Sequence, residues 1–257
     1  MQEVSFRLDG KIAFVTGGGR GIGKALALGL AQAGADVIVV ANTKDEVTVA
    51  AREIAEMTGR NTLALCCDVS DPAKIETAVN QAMERFGHID ILINNAGIGF
   101  VKSVMDVTAE EWSHVMDTNL RSALLLSQRI GRQMIERGWG RIVNVASVSA
   151  GLTFGMLNAY GPSKAGLVNL TQMLGNDLGR HGVTVNSISP WFIKTAMTEE
   201  ALKTEEFREF STTRTPIGRI GNPEDLVAPV LFFCSESSGY VTGQNLFVDG
   251  GATTFGM

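Results

Sequence analysis

Cysteine is scarce in this chain. Of its three cysteines, Cys66 and Cys67 are adjacent and Cys234 stands apart. That pattern offers no disulfide framework, and no Cys/His spacing resembles a zinc site, so no metal centre is expected. The three histidines, His88, His114 and His181, are scattered without ligand-like spacing and read as surface or structural residues. No run of eighteen apolar residues occurs, which argues against a membrane-spanning helix. The opening MQEVSFRLDGK carries charges where a signal peptide needs an apolar stretch, so the expected location is the cytoplasm. A basic excess is missing as well. The formal net charge of −5 favours neither nucleic acid nor an anionic membrane surface as a partner.

What the chain does contain is alternation. Short β-rich runs, IAFVT (12–16), DVIVVA (36–41), TLALCC (62–67), IDILIN (89–94), RIVNVAS (141–147), VTVNSIS (183–189) and NLFVDGG (245–251), are separated by helix-like segments. Among these segments are one from Pro72 to about Phe86, a long one from about Glu110 to Arg137, one holding Tyr160, and one starting near Pro223. Near-continuous apolar strands between helices indicate a parallel sheet covered on both faces. With no repeats and no long linker, the expectation is one doubly wound Rossmann-type α/β domain over residues 1–257, with about seven strands. A charged, threonine-rich stretch at about 195–214 breaks the rhythm. It reads either as surface helix or as a flap over a ligand site, since open α/β sheets bind ligands beyond the carboxyl ends of their strands.

The glycine-rich TGGGRGIG (16–23) directly follows the first strand and opens the first helix. Glycine permits positive φ and close backbone approach, and a helix N-terminus offers free N–H groups to a pyrophosphate. A dinucleotide is therefore the expected ligand, although the spacing Gly17-x-x-x-Gly21-x-Gly23 is not G-x-G-x-x-G. At the end of the second strand, an acid would bond the ribose hydroxyls and repel a 2′-phosphate. Ala41, Asn42, Thr43 and Lys44 stand there instead, and Arg20 lies within the glycine turn with a guanidinium suited to phosphate. NADP(H) is expected over NAD(H).

Only two tyrosines occur, and one of them, Tyr160, stands four residues before Lys164 in NAYGPSKAGL. On a helix the pair shares a face. With the glycine turn, NNAG (94–97) and Ser147 thirteen residues before Tyr160, the chain resembles the short-chain dehydrogenase/reductase family over about residues 8–251. Within that family it is similar to 3-oxoacyl-carrier-protein reductases and gluconate-type dehydrogenases. The resemblance implies hydride transfer between a nicotinamide dinucleotide and a ketone or secondary alcohol. It assigns catalysis to Asn119, Ser147, Tyr160 and Lys164. The cofactor falls to Gly17, Gly19, Arg20, Gly21, Ile22, Gly23, Asn42, Thr43, Asp68, Val69, Asn95, Ala96, Gly97, Tyr160, Lys164, Pro190, Ile193 and Thr195. It also implies a homotetramer, with Asn119 anchoring a relay water through its backbone carbonyl. Where the family has Pro-Gly, this chain has Pro190-Trp191.

An ordinary phenol titrates near 10, and the Lys164 ammonium is expected to lower that value so that Tyr160 exchanges its proton with the substrate oxygen. Leu152, Phe154, Met156, Leu157, Trp191 and Phe192 suggest a substrate with an apolar body. Two alternatives stand beside this reading: an NAD(H)-dependent sugar-acid or polyol dehydrogenase, and a dinucleotide-binding regulator without turnover.

Overall fold

The computed structural model of the chain describes residues 4–153 and 158–254. Phe154, Met156 and Leu157, expected at the substrate cleft, lie outside the described residues. Seven strands form a single parallel sheet: β1 (Ile12–Thr16), β2 (Asp36–Ala41), β3 (Thr62–Cys66), β4 (Ile91–Asn94), β5 (Gly140–Val145), β6 (Val183–Pro190) and β7 (Asn245–Val248). Their order is β3-β2-β1-β4-β5-β6-β7. The chain winds outward in both directions from the β1/β4 neighbours, so a crevice opens between the carboxyl ends of these two strands, where such sheets take ligands.

Alternate strand residues feed two separate cores. Ala13, Val15, Val37 and Val39 face one side, packed against α1 (Gly21–Gln32) and α2 (Lys44–Thr58) through Leu26, Leu30 and Ile54. Ile12, Phe14, Ile38 and Val40 face the other. There they meet Ile75 and Val79 of α3 (Pro72–Phe86). The expected single helix over 110–137 is in fact α4 (Ala109–Met116), a π-helical turn (Asp117–Arg121) and α5 (Ser122–Arg137). In that turn the Ser122 N–H donates to the Asp117 carbonyl, five residues back. Such wide turns are frequent at functional sites, and Asn119 sits inside this one. α6 (Tyr160–Leu178) covers the second face through Leu174 and Leu178.

The stretch at 195–214 folds mainly into two short helices, α7 (Glu199–Leu202) and α8 (Glu205–Thr213). The helix expected near Pro223 begins as a 3-10 turn (Pro223–Leu226) and continues as α9 (Val227–Cys234), whose Val230 and Phe233 close the first core. No helix among the described residues is long and apolar enough to cross a membrane.

Candidate active site

The glycine turn is a backbone cradle held from below. Gly17 and Gly21 have φ of +62° and +54°, the left-handed region that other residues enter only with strain. A Cβ at Gly23 would collide with the Gly17 carbonyl, and one at Gly17 would lie 2.7 Å from Nδ2 of Asn95. The buried Thr16 hydroxyl donates to the Ile93 carbonyl (3.2 Å) and accepts from the N–H groups of Asn95 (3.0 Å) and Ala96 (3.1 Å). The Asn95 amide in turn donates to the carbonyls of Thr16 (2.9 Å) and Gly17 (3.3 Å). Asn95, expected on the cofactor, thus spends its side-chain donor on bracing the turn. Ile22 packs against the first core and Val69 is buried in the second.

Asn42 and Thr43 are exposed at the end of β2. Asp68 follows β3 with its Oδ1 accepting from the Ser70 hydroxyl (2.7 Å) and N–H (3.0 Å), bonds that hold its carboxyl below the usual range. Arg20, exposed in the turn, has Nη1 at 3.3 Å from Oε1 of Glu46. A Cβ on Gly19 would lie 3.2 Å from that of Glu46, so the turn and the start of α2 are in contact.

The four residues expected to be catalytic converge. Ser147 stands two residues past β5, accepts from the Ser149 N–H (3.1 Å), and is placed for hydrogen bonding that lowers the Tyr160 phenol's pKa. Lys164, buried one turn along α6, donates from Nζ to the Val145 carbonyl (2.7 Å), and Nζ lies 5.5 Å from the Tyr160 ring centroid. Asn119, also buried, accepts from the Ile98 N–H (2.8 Å) and donates to the Ile98 carbonyl (2.9 Å) and the Ser163 hydroxyl (3.0 Å). Ser163 passes that tie to the Tyr160 carbonyl (2.7 Å). Fully engaged side-chain bonds leave the Asn119 amide a brace between the loop after β4 and the first turn of α6.

The electrostatics correct one expectation. Burial raises the Tyr160 phenol above its ordinary value of 10.0, and the hydrogen bond to Ser147 is what opposes that rise. Lys164 lies against the ring face and is itself pushed down to about 8 by its burial. Two glycines of the loop after β4 complete the constellation: Gly97, expected on the cofactor, and Gly99, which the sequence alone does not single out. A Cβ on Gly97 would lie 3.4 Å from Lys164 Nζ, and one on Gly99 2.9 Å from Tyr160 Cδ2. NAGIG spells both glycines, but only the fold shows that they admit these two side chains.

Beyond β6, Ile193 is buried and bridged to Gly221, while Thr198 Oγ1 donates to the Ile193 carbonyl (2.6 Å) and accepts from the Thr195 N–H (3.1 Å). The Thr195 methyl lies 3.4 Å from a Cβ built on Gly21, which brings this segment across to the glycine turn. Pro190 pairs with Val248 at the sheet edge. The Trp191 and Phe192 rings lie 4.4 Å apart between centroids, tilted by 54°, and Phe192 meets Phe207 of α8 edge-on at 4.8 Å. Among the described residues no group of three His, Cys, Asp or Glu could hold a metal ion.

A doubly wound sheet, a glycine cradle at its switch point, and a serine, tyrosine and lysine gathered beside it define a dinucleotide-dependent oxidoreductase. The chain belongs to the short-chain dehydrogenase/reductase family: the family model described as enoyl-(acyl carrier protein) reductase matches residues 17–253. It is 39% identical over 244 residues to the 3-oxoacyl-(acyl-carrier-protein) reductase FabG of Vibrio cholerae, covering 95% of this chain and 98% of that one. It is 38% identical to the gluconate 5-dehydrogenase of Gluconobacter oxydans, covering 96% of each. The solved gluconate 5-dehydrogenase of Burkholderia cenocepacia, in complex with NADP and tartrate, superposes with a TM-score of 0.93 at 34% identity, covering 97% of each chain. The protein is accordingly an oxidoreductase acting on CH–OH and C=O groups. That finding replaces the regulator without turnover.

Proposed function

We propose that this single-domain protein is a cytoplasmic, NADP(H)-preferring reductase of a ketone, with Tyr160 as proton donor. The observation that carries the reading is the convergence of the Tyr160 phenol, the Ser147 hydroxyl and the Lys164 ammonium at the end of the crevice that the glycine turn opens. The cradle of Gly17, Gly19, Gly21 and Gly23 fits a pyrophosphate, with Thr195 across from it; Arg20, Asn42 and Thr43 fit a phosphorylated adenosine ribose, and Asp68 and Val69 the adenine. Gly97, Pro190, Ile193 and Lys164 bound the nicotinamide end. When bound, the dinucleotide supplies the hydride in reduction and takes it up in oxidation.

The protein's own part is the proton. Ser147 donates to the substrate oxygen as charge gathers there, and Tyr160 passes its phenolic proton to that oxygen. A phenol raised above 10 stays protonated at neutral pH and is still far more acidic than an alcohol, which suits the reductive direction. Lys164, tied to Val145, holds a positive charge under the ring and replenishes the proton through water anchored near Asn119.

Trp191, Phe192 and Phe207 support an apolar substrate body and a flap at 195–214 that moves with α8. A second reading, a sugar-acid dehydrogenase, is favoured by the likeness to gluconate 5-dehydrogenases. Assembly as a homotetramer is supported by β7, an edge strand with Leu246 and Phe247 exposed; light scattering would test it, a monomer counting against. The function is tested by following nicotinamide absorbance with NADPH and a panel of ketones, oxoacyl thioesters and keto-sugar acids. Tyr160→Phe should bind NADPH normally and lose turnover. Retained turnover would remove Tyr160 from the role of donor.

A further inference from the structure

Two helices of this protein begin with the same four-residue signature, and only one uses it. At α4, Thr108 and Glu111 form a reciprocal capping box: the Glu111 N–H donates to Thr108 Oγ1 (3.2 Å) and the Thr108 N–H to Glu111 Oε2 (2.9 Å). At α2, Thr43 and Glu46 stand at the same spacing, which normally marks such a box. Yet the Thr43 side chain makes no capping bond; its hydroxyl lies 3.4 Å from Asn42 Oδ1. Glu46 is turned away toward Arg20 Nη1, at 3.3 Å. Both halves of the box are diverted toward the end of the crevice that receives the adenosine ribose.

We infer that Glu46 sets how strongly the protein prefers NADP(H) over NAD(H), by holding Arg20 in an ion pair that a 2′-phosphate must displace. The inference rests on the proposed reading of Arg20 as the phosphate ligand. An unphosphorylated ribose leaves the pair intact, so NAD(H) binds without cost from Glu46. A 2′-phosphate competes with the carboxylate for one guanidinium and meets a second negative charge close by. Once Arg20 turns to the phosphate, Glu46 can accept from the Thr43 N–H, as Glu111 does from Thr108. Helix capping then offsets part of the lost ion pair. A Cβ built on Gly19 would lie 3.2 Å from that of Glu46, so the Glu46 side chain starts beside the turn.

The test is calorimetric binding of NADPH, NADH and 2′,5′-ADP to the full chain and to Glu46→Gln and Arg20→Gln. Glutamine keeps the capping geometry and removes the charge. Glu46→Gln should tighten NADPH and 2′,5′-ADP by about two- to five-fold, the worth of an exposed ion pair, and leave NADH unchanged. At about 1 M salt, where the screening length falls to roughly 3 Å, that gain should shrink. Equal tightening of NADH, or no change in the NADPH-to-NADH ratio, would overturn the role of Glu46. Arg20→Gln separates the two claims. If it weakens NADPH while Glu46→Gln does nothing, only the competition is refuted. If it leaves NADPH unaffected, the assignment of Arg20 falls and this inference falls with it.

Discussion

A Cβ placed on Gly99 would lie 2.9 Å from Cδ2 and 3.3 Å from Cγ of Tyr160, so the loop after β4 rests directly on the flank of the phenol ring. Asn119 fastens that same loop through both polar groups of Ile98. The ring is therefore set from two sides, by its own helix and by the chain that crosses it.

Gly99→Ala should push the ring out of line without touching the glycine turn. Misplacement on the order of 1 Å can cost about a hundred-fold in rate. The expected outcome is a fall in kcat of roughly ten- to a hundred-fold, with the NADPH dissociation constant little changed. Steady-state kinetics and fluorescence titration on the same preparation check it. Unaltered kcat would mean that the loop yields rather than the ring.

Ser147→Ala removes the hydroxyl that bonds the phenol and, in the proposed chemistry, the donor to the substrate oxygen. Loss of one such donor costs about 10²–10³ in kcat. Because that bond lowers the Tyr160 pKa, its loss should also move the alkaline limb of ketone reduction to higher pH. A pH–rate profile reads both effects together.

Thr16→Val keeps the shape and deletes a buried hydroxyl that serves three backbone groups, those of Ile93, Asn95 and Ala96. Stranding buried donors costs about 1–3 kcal/mol each. Thermal stability should drop, and dinucleotide affinity should drop further than stability alone accounts for, because the cradle loses its brace. Differential scanning calorimetry with and without NADPH compares the two losses.

Lys164 titrates at about 8 in the fold against 10.5 in the unfolded chain. Below pH 8 both states carry the proton, and burial of the charge costs stability in full, roughly 3 kcal/mol. Between pH 8 and about 10 the unfolded chain holds more protons, so this group makes stability rise with pH. Tyr160 acts oppositely but only above 10, where the unfolded phenol ionises first. The buried Cys67 and Cys234 thiols, pushed up to about 11 and about 12, oppose the rise above pH 9, so urea denaturation from pH 8 to 9 should show stability climbing with pH in the native protein and less so in Lys164→Met.

Much of this architecture can be read in the sequence because the parallel strands are buried on both faces and stand out as apolar runs. IAFVT and DVIVVA coincide with β1 and β2 residue for residue. The break at Asp117–Arg121 cannot be read, since DTNLR contains neither proline nor glycine to mark it. At the site, helical spacing puts Tyr160 and Lys164 on one face, and the family resemblance supplies their roles. The direction of their pKa values cannot be read that way, because desolvation depends on what packs around them, and for Tyr160 it outweighs the hydrogen bonding of Ser147. Glu46 was hidden for the opposite reason: its sequence signature is that of an ordinary helix cap.

The hydroxyl of Thr16 and the amide of Asn95 stitch the turn after β1 to the loop after β4, across the point where the winding reverses. A chimera that imports either loop alone from a relative would arrive with mismatched stitches and a warped floor beneath the dinucleotide. Both loops have to be transplanted as one unit if cofactor choice is to be re-engineered in this scaffold.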